Sequence, residues 1–140
     1  MNPAKLIKFW LPVLLWALVI FTFSNFPTQK TSEIFWEDFL LKKTAHFIEY
    51  AFLFVLIYRA LRNTRQGIST GQIVFVALAI VILYASSDEF HQTFILGREG
   101  TLRDVLIDTS GALFAGFSLW NLLPKAPEKL KSWAKNFQLI

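Results

Sequence analysis

Ser87-Asp88-Glu89-Phe90-His91-Gln92 closes one long apolar run, and Gly97-Arg98, Asp104 and Asp108 follow as the next run begins. Acids, an imidazole, an amide and a guanidinium are thus crowded at the junction of two greasy segments. Ionisable groups at the rim of a membrane segment are costly, so they usually face a bundle interior or a cavity and usually serve a function. This junction therefore predicts membrane-spanning helices whose polar ends meet.

Working outward, the chain falls into apolar runs separated by polar connections. The runs are about 9–26, 44–61, 72–89 and 102–123, each long enough to cross a hydrocarbon core of about 30 Å as a helix. The first ends in Phe23-Ser24-Asn25-Phe26-Pro27 with no small-x-small cleavage pattern, which favours a retained helix over a signal peptide. Pro12 falls in its first turns, where a missing N–H matters least. Thr28–Leu41, with Lys30, Glu33, Glu37 and Asp38 among Phe35, Trp36 and Phe39, predicts a short interfacial helix. After Pro124, residues 125–140 predict a basic amphipathic helix on a membrane surface, with Leu130, Trp133 and Phe137 on one face. The expected fold is one all-α domain over 1–140, a four-helix transmembrane bundle with these two accessory helices.

Composition agrees. Hydrophobic residues make up 54% of the 140, with fifteen phenylalanines and 17% charged residues. There is no cysteine, which excludes disulfides and cysteine-based zinc sites. The net charge of +4 is concentrated in segments that flank apolar runs, so it reads as topology and headgroup contact rather than nucleic-acid binding. Lys5 and Lys8, then Arg59, Arg62 and Arg65, then Lys125, Lys129, Lys131 and Lys135 alternate with acidic connections. The positive-inside rule then predicts a multi-pass protein of a cytoplasmic membrane with both termini inside.

That topology brings the start of the second helix, the end of the third and the start of the fourth to the outer face. At about 100° per residue, Lys43, His46 and Tyr50 share a face that Leu53 and Ile57 continue, with Glu49 a further step around. Asp88, His91 and Gln92 share a face of the third helix, with Glu89 to one side. Gly97 and Gly100 mark a turn, Thr101 is a candidate N-cap with Asp104 three residues on, and Asp108, one turn deeper, lies beyond any capping role. Gly111, Ala112 and Ala115 extend that side as a small-residue stripe that lets helices approach closely.

Four readings compete for the cluster. One is a structural ion-pair network in which Arg98 or Lys43 bridges to Asp88, Asp104 or Asp108. A second is recognition of an anionic amphiphile by Lys43, Tyr50, Glu89, Gln92, Arg98 and Asp108, with Arg98 and Lys43 gripping phosphate or carboxylate. A third is acid–base catalysis by His46, Glu49, Asp88 and Asp104. The fourth is a metal held through His46-x-x-Glu49 or Asp88 to His91, or a proton path through Glu49 and His46. Two histidines are fewer than a carboxylate-bridged metal bundle uses, so no metal or other cofactor is expected.

Lys43-x-x-His46-x-x-x-Tyr50, Asp88-Glu89-x-His91-Gln92, Gly97-Arg98, Asp104, Asp108 and Gly111 together resemble the VanZ-like family of small membrane proteins. Ser24-Asn25-Phe26-Pro27 is similar to the element that follows that family's first span. The resemblance runs from about Phe9 to Trp120. It implies a bacterial cell-envelope protein, and the family's namesake is associated with resistance to the acylated glycopeptide teicoplanin. The combined expectation is an outward-facing polar site that binds, and processes or moves, an amphiphilic or lipid-linked anionic molecule. A membrane-embedded enzyme, a non-catalytic scaffold and a proton-coupled transporter are the alternatives. Membrane lipids are the expected partners, and oligomeric state is left open.

Overall fold

The computed structural model describes residues 3–27, 34–98 and 100–140. They form α1 (Pro3–Ser24), α2 (Phe35–Thr64), α3 (Thr70–Gln92), α4 (Leu102–Phe117) and α5 (Glu128–Asn136), with no strand among the described residues. A π-helical turn, Ser118–Leu122, and a 3-10 turn, Leu123–Lys125, continue α4 to the point where Pro124 ends it.

α1, α3 and the continuous stretch Leu102–Lys125 are long and apolar enough to cross a membrane. α2 is longer, but Glu37, Asp38, Lys42, Lys43, His46 and Glu49 populate its first half. Its second half instead packs against the other three helices. Tyr50, Leu53, Phe54, Ile57, Tyr58 and Ala60 are buried against Phe9, Val13 and Ile20 of α1, Val74, Ala77 and Val81 of α3, and Ala112 and Ala115 of α4. Leu14, Leu18, Phe75, Leu83, Leu106 and Phe114 lie exposed around the outside. So continuous an apolar girdle suits lipid rather than water.

The helices alternate in direction. Trp10 Nε1 donates to Thr64 Oγ1 at 3.3 Å, pairing the start of α1 with the end of α2. Ser24 at the end of α1 reaches Asp88 near the end of α3. α2 and α4 run parallel, because a Cβ on Gly111 would collide with the Phe47 carbonyl and one on Gly116 would press on the Phe54 ring at 3.1 Å. The ends of α1 and α3 and the starts of α2 and α4 therefore share one end of the bundle. The small-residue stripe of α4 is buried as expected, while Leu106, Leu113, Phe117 and Trp120 face out.

Four boundaries differ from the sequence reading. α1 starts at Pro3, so Pro12 lies in the helix interior rather than its first turns. The separate interfacial helix is not found: residues 28–33, with Lys30 and Glu33, lie outside the described residues, and Phe35 to Leu41 form the opening turns of α2. Helical propensity carries through Lys42-Lys43-Thr44 because no glycine or proline interrupts it. α2 runs on to Thr64, beyond the expected end near 61, and so takes in Arg62 as well as Arg59. The C-terminal helix spans nine residues, and the chain then turns at Gln138 (φ 60°) to fold back on α2. There Arg59 Nε donates to the Phe137 carbonyl at 2.8 Å, Asn63 Nδ2 donates to the Gln138 carbonyl at 2.9 Å, and the Arg59 guanidinium stacks over Phe9.

Candidate functional site

Three helices meet at one carboxylate oxygen. Asp88 Oδ2 accepts hydrogen bonds from Ser24 Oγ (2.7 Å), Gln92 Nε2 (3.0 Å) and Tyr50 OH (3.3 Å). All four residues are buried, and every donor is neutral. Buried carboxylates held this way meet part of their hydrogen-bonding demand without a cation. Asp88 Oδ1 has no hydrogen-bond partner among the described residues.

Arg98 makes none of the expected ion pairs with Asp88, Asp104 or Asp108. Its Nε donates to the Phe26 carbonyl and its Nη2 to the Phe23 carbonyl, each at 2.8 Å, and its Nη1 to Gln92 Oε1 at 3.2 Å. It thus binds the Phe26 carbonyl just past the end of α1 and adds a second donor to the Phe23 carbonyl, which also accepts from the Phe26 amide at 3.2 Å. Gly97 allows the approach, since its φ of +80° belongs to the left-handed region that glycine enters freely.

Lys43 makes one of the ion pairs considered for it. Lys43 Nζ meets Asp104 Oδ1 at 2.7 Å, with Arg103 Nε on the same oxygen at 3.4 Å. One turn deeper, His46 Nδ1 lies 3.2 Å from Asp108 Oδ1, and Asp108 is fully enclosed. Thr101 caps α4 by accepting from the Asp104 amide at 3.2 Å. Its own N–H is taken at 3.0 Å by Glu89 Oε2 of α3. In a capping box that acceptor would come from position 104. Here it comes from a neighbouring helix, and Asp104 is released to Lys43. Glu89 is consequently buried rather than displaced to one side.

An open cleft of about 710 Å³ lies over this network. Ile20, Phe23, Phe26 and Pro27 form an apolar part of its lining. Lys42, Lys43, Arg98 and Arg103 make the lining cationic, and His46, Glu49 and Asp104 also line it. Of the expected site residues, Lys43, His46, Glu49, Gln92, Arg98 and Asp104 reach this cleft. Tyr50, Asp88, Glu89 and Asp108 stand behind it in the packed interior. His91 turns to Asn25 Oδ1 at 3.0 Å, beside the ring of Phe21. Glu99 lies outside the described residues.

Sequence reasoning missed Lys42 and Arg103 as cleft residues, and Ser24 as a donor to Asp88. Ser24 carried a signal, as a hydroxyl at the end of an apolar run that also ends in the family-like element. Lys42 and Arg103 carried none beyond their adjacency to Lys43 and Asp104.

Comparison with curated proteins and with solved structures gives no match. The family model described as VanZ/LLP1 matches residues 9–124. Those residues take in most of the chain and the whole polar end of the bundle, from Ser24 through Asp108: this membrane protein belongs to the VanZ/LLP1 family.

Proposed function

We propose that the cleft binds an amphiphilic or lipid-linked anionic molecule at the outer surface of a bacterial cytoplasmic membrane. In this reading α2 is a fourth span and both termini are inside. The observation that carries it is the two-sided lining. Lys42, Lys43, Arg98 and Arg103 border the same space as Ile20, Phe23 and Phe26, so a headgroup and an acyl chain each find a suitable surface. The charge distribution supports the orientation. Lys5, Lys8, Arg59, Arg62, Arg65 and the four lysines of the C-terminal segment gather at the end of the bundle away from the cleft. Alternating helix directions support four crossings.

The test is native mass spectrometry of protein extracted gently from its own membrane. Wild type is compared with a Lys42→Gln/Arg103→Gln double variant and with Phe26→Asp. The expected result is an anionic amphiphile on the wild type that is lost from both variants. A bare wild-type protein, or retention in both variants, would overturn the proposal. Acylated glycopeptides such as teicoplanin are amphiphiles of comparable design, and their minimum inhibitory concentration against cells with and without the protein tests that extension.

A second reading, acid–base chemistry on the bound molecule, has one observation behind it. His46 is hydrogen-bonded to a buried carboxylate and lines the same cleft as Glu49. Accumulation of the bound molecule unchanged in a His46→Gln variant, with turnover in wild type, would distinguish catalysis from binding alone.

A further inference from the structure

We propose that His46, Glu89 and Asp108 form a binding site for a divalent first-row transition-metal ion, of the zinc or manganese class, beneath the cleft. The three residues come from α2, α3 and α4, and each offers one ligand atom within 4.8 Å of the other two. Three ligands at about 2.0–2.2 Å from a tetrahedral ion stand about 3.3–3.6 Å apart, so the pocket must contract by at most about 1.5 Å around an ion. This grouping differs from both pairs that helical spacing suggests, His46 with Glu49 and Asp88 with His91.

The second observation is the unfinished bonding of the two acids. Glu89 Oε1 and Asp108 Oδ2 are buried and have no hydrogen-bond partner among the described residues. Among the described residues, no lysine or arginine pairs with either one: Lys43 is on Asp104, and Arg98 is on Gln92 and two carbonyls. Burying two carboxylates without a cation is expensive, and a bound divalent ion supplies the missing charge. Glu89 is already oriented from outside the group, as metal ligands usually are, because the Thr101 amide fixes its Oε2. The 3.2 Å contact of His46 Nδ1 with Asp108 Oδ1 sets the other two residues side by side.

The donor set narrows the ion. Two carboxylates and one imidazole suit zinc, manganese, iron(II) or cobalt(II), whereas magnesium and calcium take oxygen ligands almost alone. With three protein ligands, the ion keeps at least one open position. His46 lines the cleft while Glu89 and Asp108 lie behind it, so the imidazole is the link between the ion and the space above.

The test uses full-length, tag-free protein in detergent micelles, stripped with a chelator and titrated with cobalt(II). Binding is read by visible absorption and by metal analysis after desalting. The expected result is one cobalt per chain, displaced by zinc. Glu89→Gln, Asp108→Asn and His46→Gln should each weaken binding by at least about tenfold, while His91→Gln should not. Helicity by circular dichroism confirms that each variant is folded, and His46, partly exposed at the cleft, keeps the test alive if a fully buried substitution fails to fold. Wild-type protein that binds no stoichiometric metal, or equal binding by wild type and His46→Gln, would overturn the proposal. Failure here with retention of a co-purified amphiphile would leave the binding function standing and remove only the metal.

Discussion

Gly111→Ala tests the close approach on which the polar end depends. A Cβ at Gly111 meets the carbonyl oxygen, carbonyl carbon and Cα of Phe47, all of them backbone atoms with no rotamer to yield. Restoring ordinary contact near 3.5 Å requires α2 and α4 to part by considerably more than about 1 Å. Phe47 adjoins His46, and Gly111 lies one turn from Asp108. The same movement would stretch the His46–Asp108 pair from 3.2 Å beyond hydrogen-bond reach. Overpacking against rigid neighbours costs about 1–3 kcal/mol, and backbone contact places this case at about 3. Replacing a helical glycine by alanine returns about 1 kcal/mol. The expected net loss is about 2 kcal/mol, roughly a thirtyfold fall in the folded-to-unfolded ratio. Thermal unfolding in detergent, followed by circular dichroism, reads it. Gly71→Ala is the control, since its nearest neighbour is the Trp120 ring at an ordinary 3.5 Å. If Gly111→Ala melts with or above wild type while Gly71→Ala is neutral, α2 and α4 are not in backbone contact and the argument fails.

Two further substitutions probe the ends of the bundle. Arg98→Lys should destabilise almost as much as Arg98→Ala, by about 1–3 kcal/mol, because one ammonium cannot reach the Phe23 and Phe26 carbonyls and Gln92 together. Equal melting of Arg98→Lys and wild type would count against a structural role. Arg59→Ala should free the C-terminal segment, raising the rate of tryptic cleavage after Lys135 by about tenfold while leaving the bundle's melting unchanged. Unchanged cleavage would mean that Leu139 and its neighbours hold the segment without Arg59.

Much of this arrangement was legible because periodicity fixes angles within one helix. The shared face of Lys43, His46 and Tyr50, continued by Leu53 and Ile57, needed only helical spacing, as did the buried stripe of α4. Alternating charge gave the alternating directions. What periodicity does not fix is the rotation of one helix against its neighbour. Glu89 was placed to one side because its angle relative to Asp88 says nothing of where α4 begins. That start, twelve residues later, puts the Thr101 amide against it. Charge alone offers Arg98 an acid or an anionic ligand, whereas the helix end beside it supplies carbonyls. At the opening of α2, polarity suggests a break that backbone propensity does not require.

The joint at Asp88 separates the polar end into two electrical regimes. Its oxygen is held by Ser24, Tyr50 and Gln92, neutral donors shut away from solvent. Mobile ions have little purchase on such contacts. The rim pair Lys43–Asp104 is partly exposed and borders open space, so added salt screens it. Raising ionic strength should therefore loosen the mouth of the cleft while α1, α2 and α3 stay locked below. Seawater and fresh water would present the same floor under differently sprung walls.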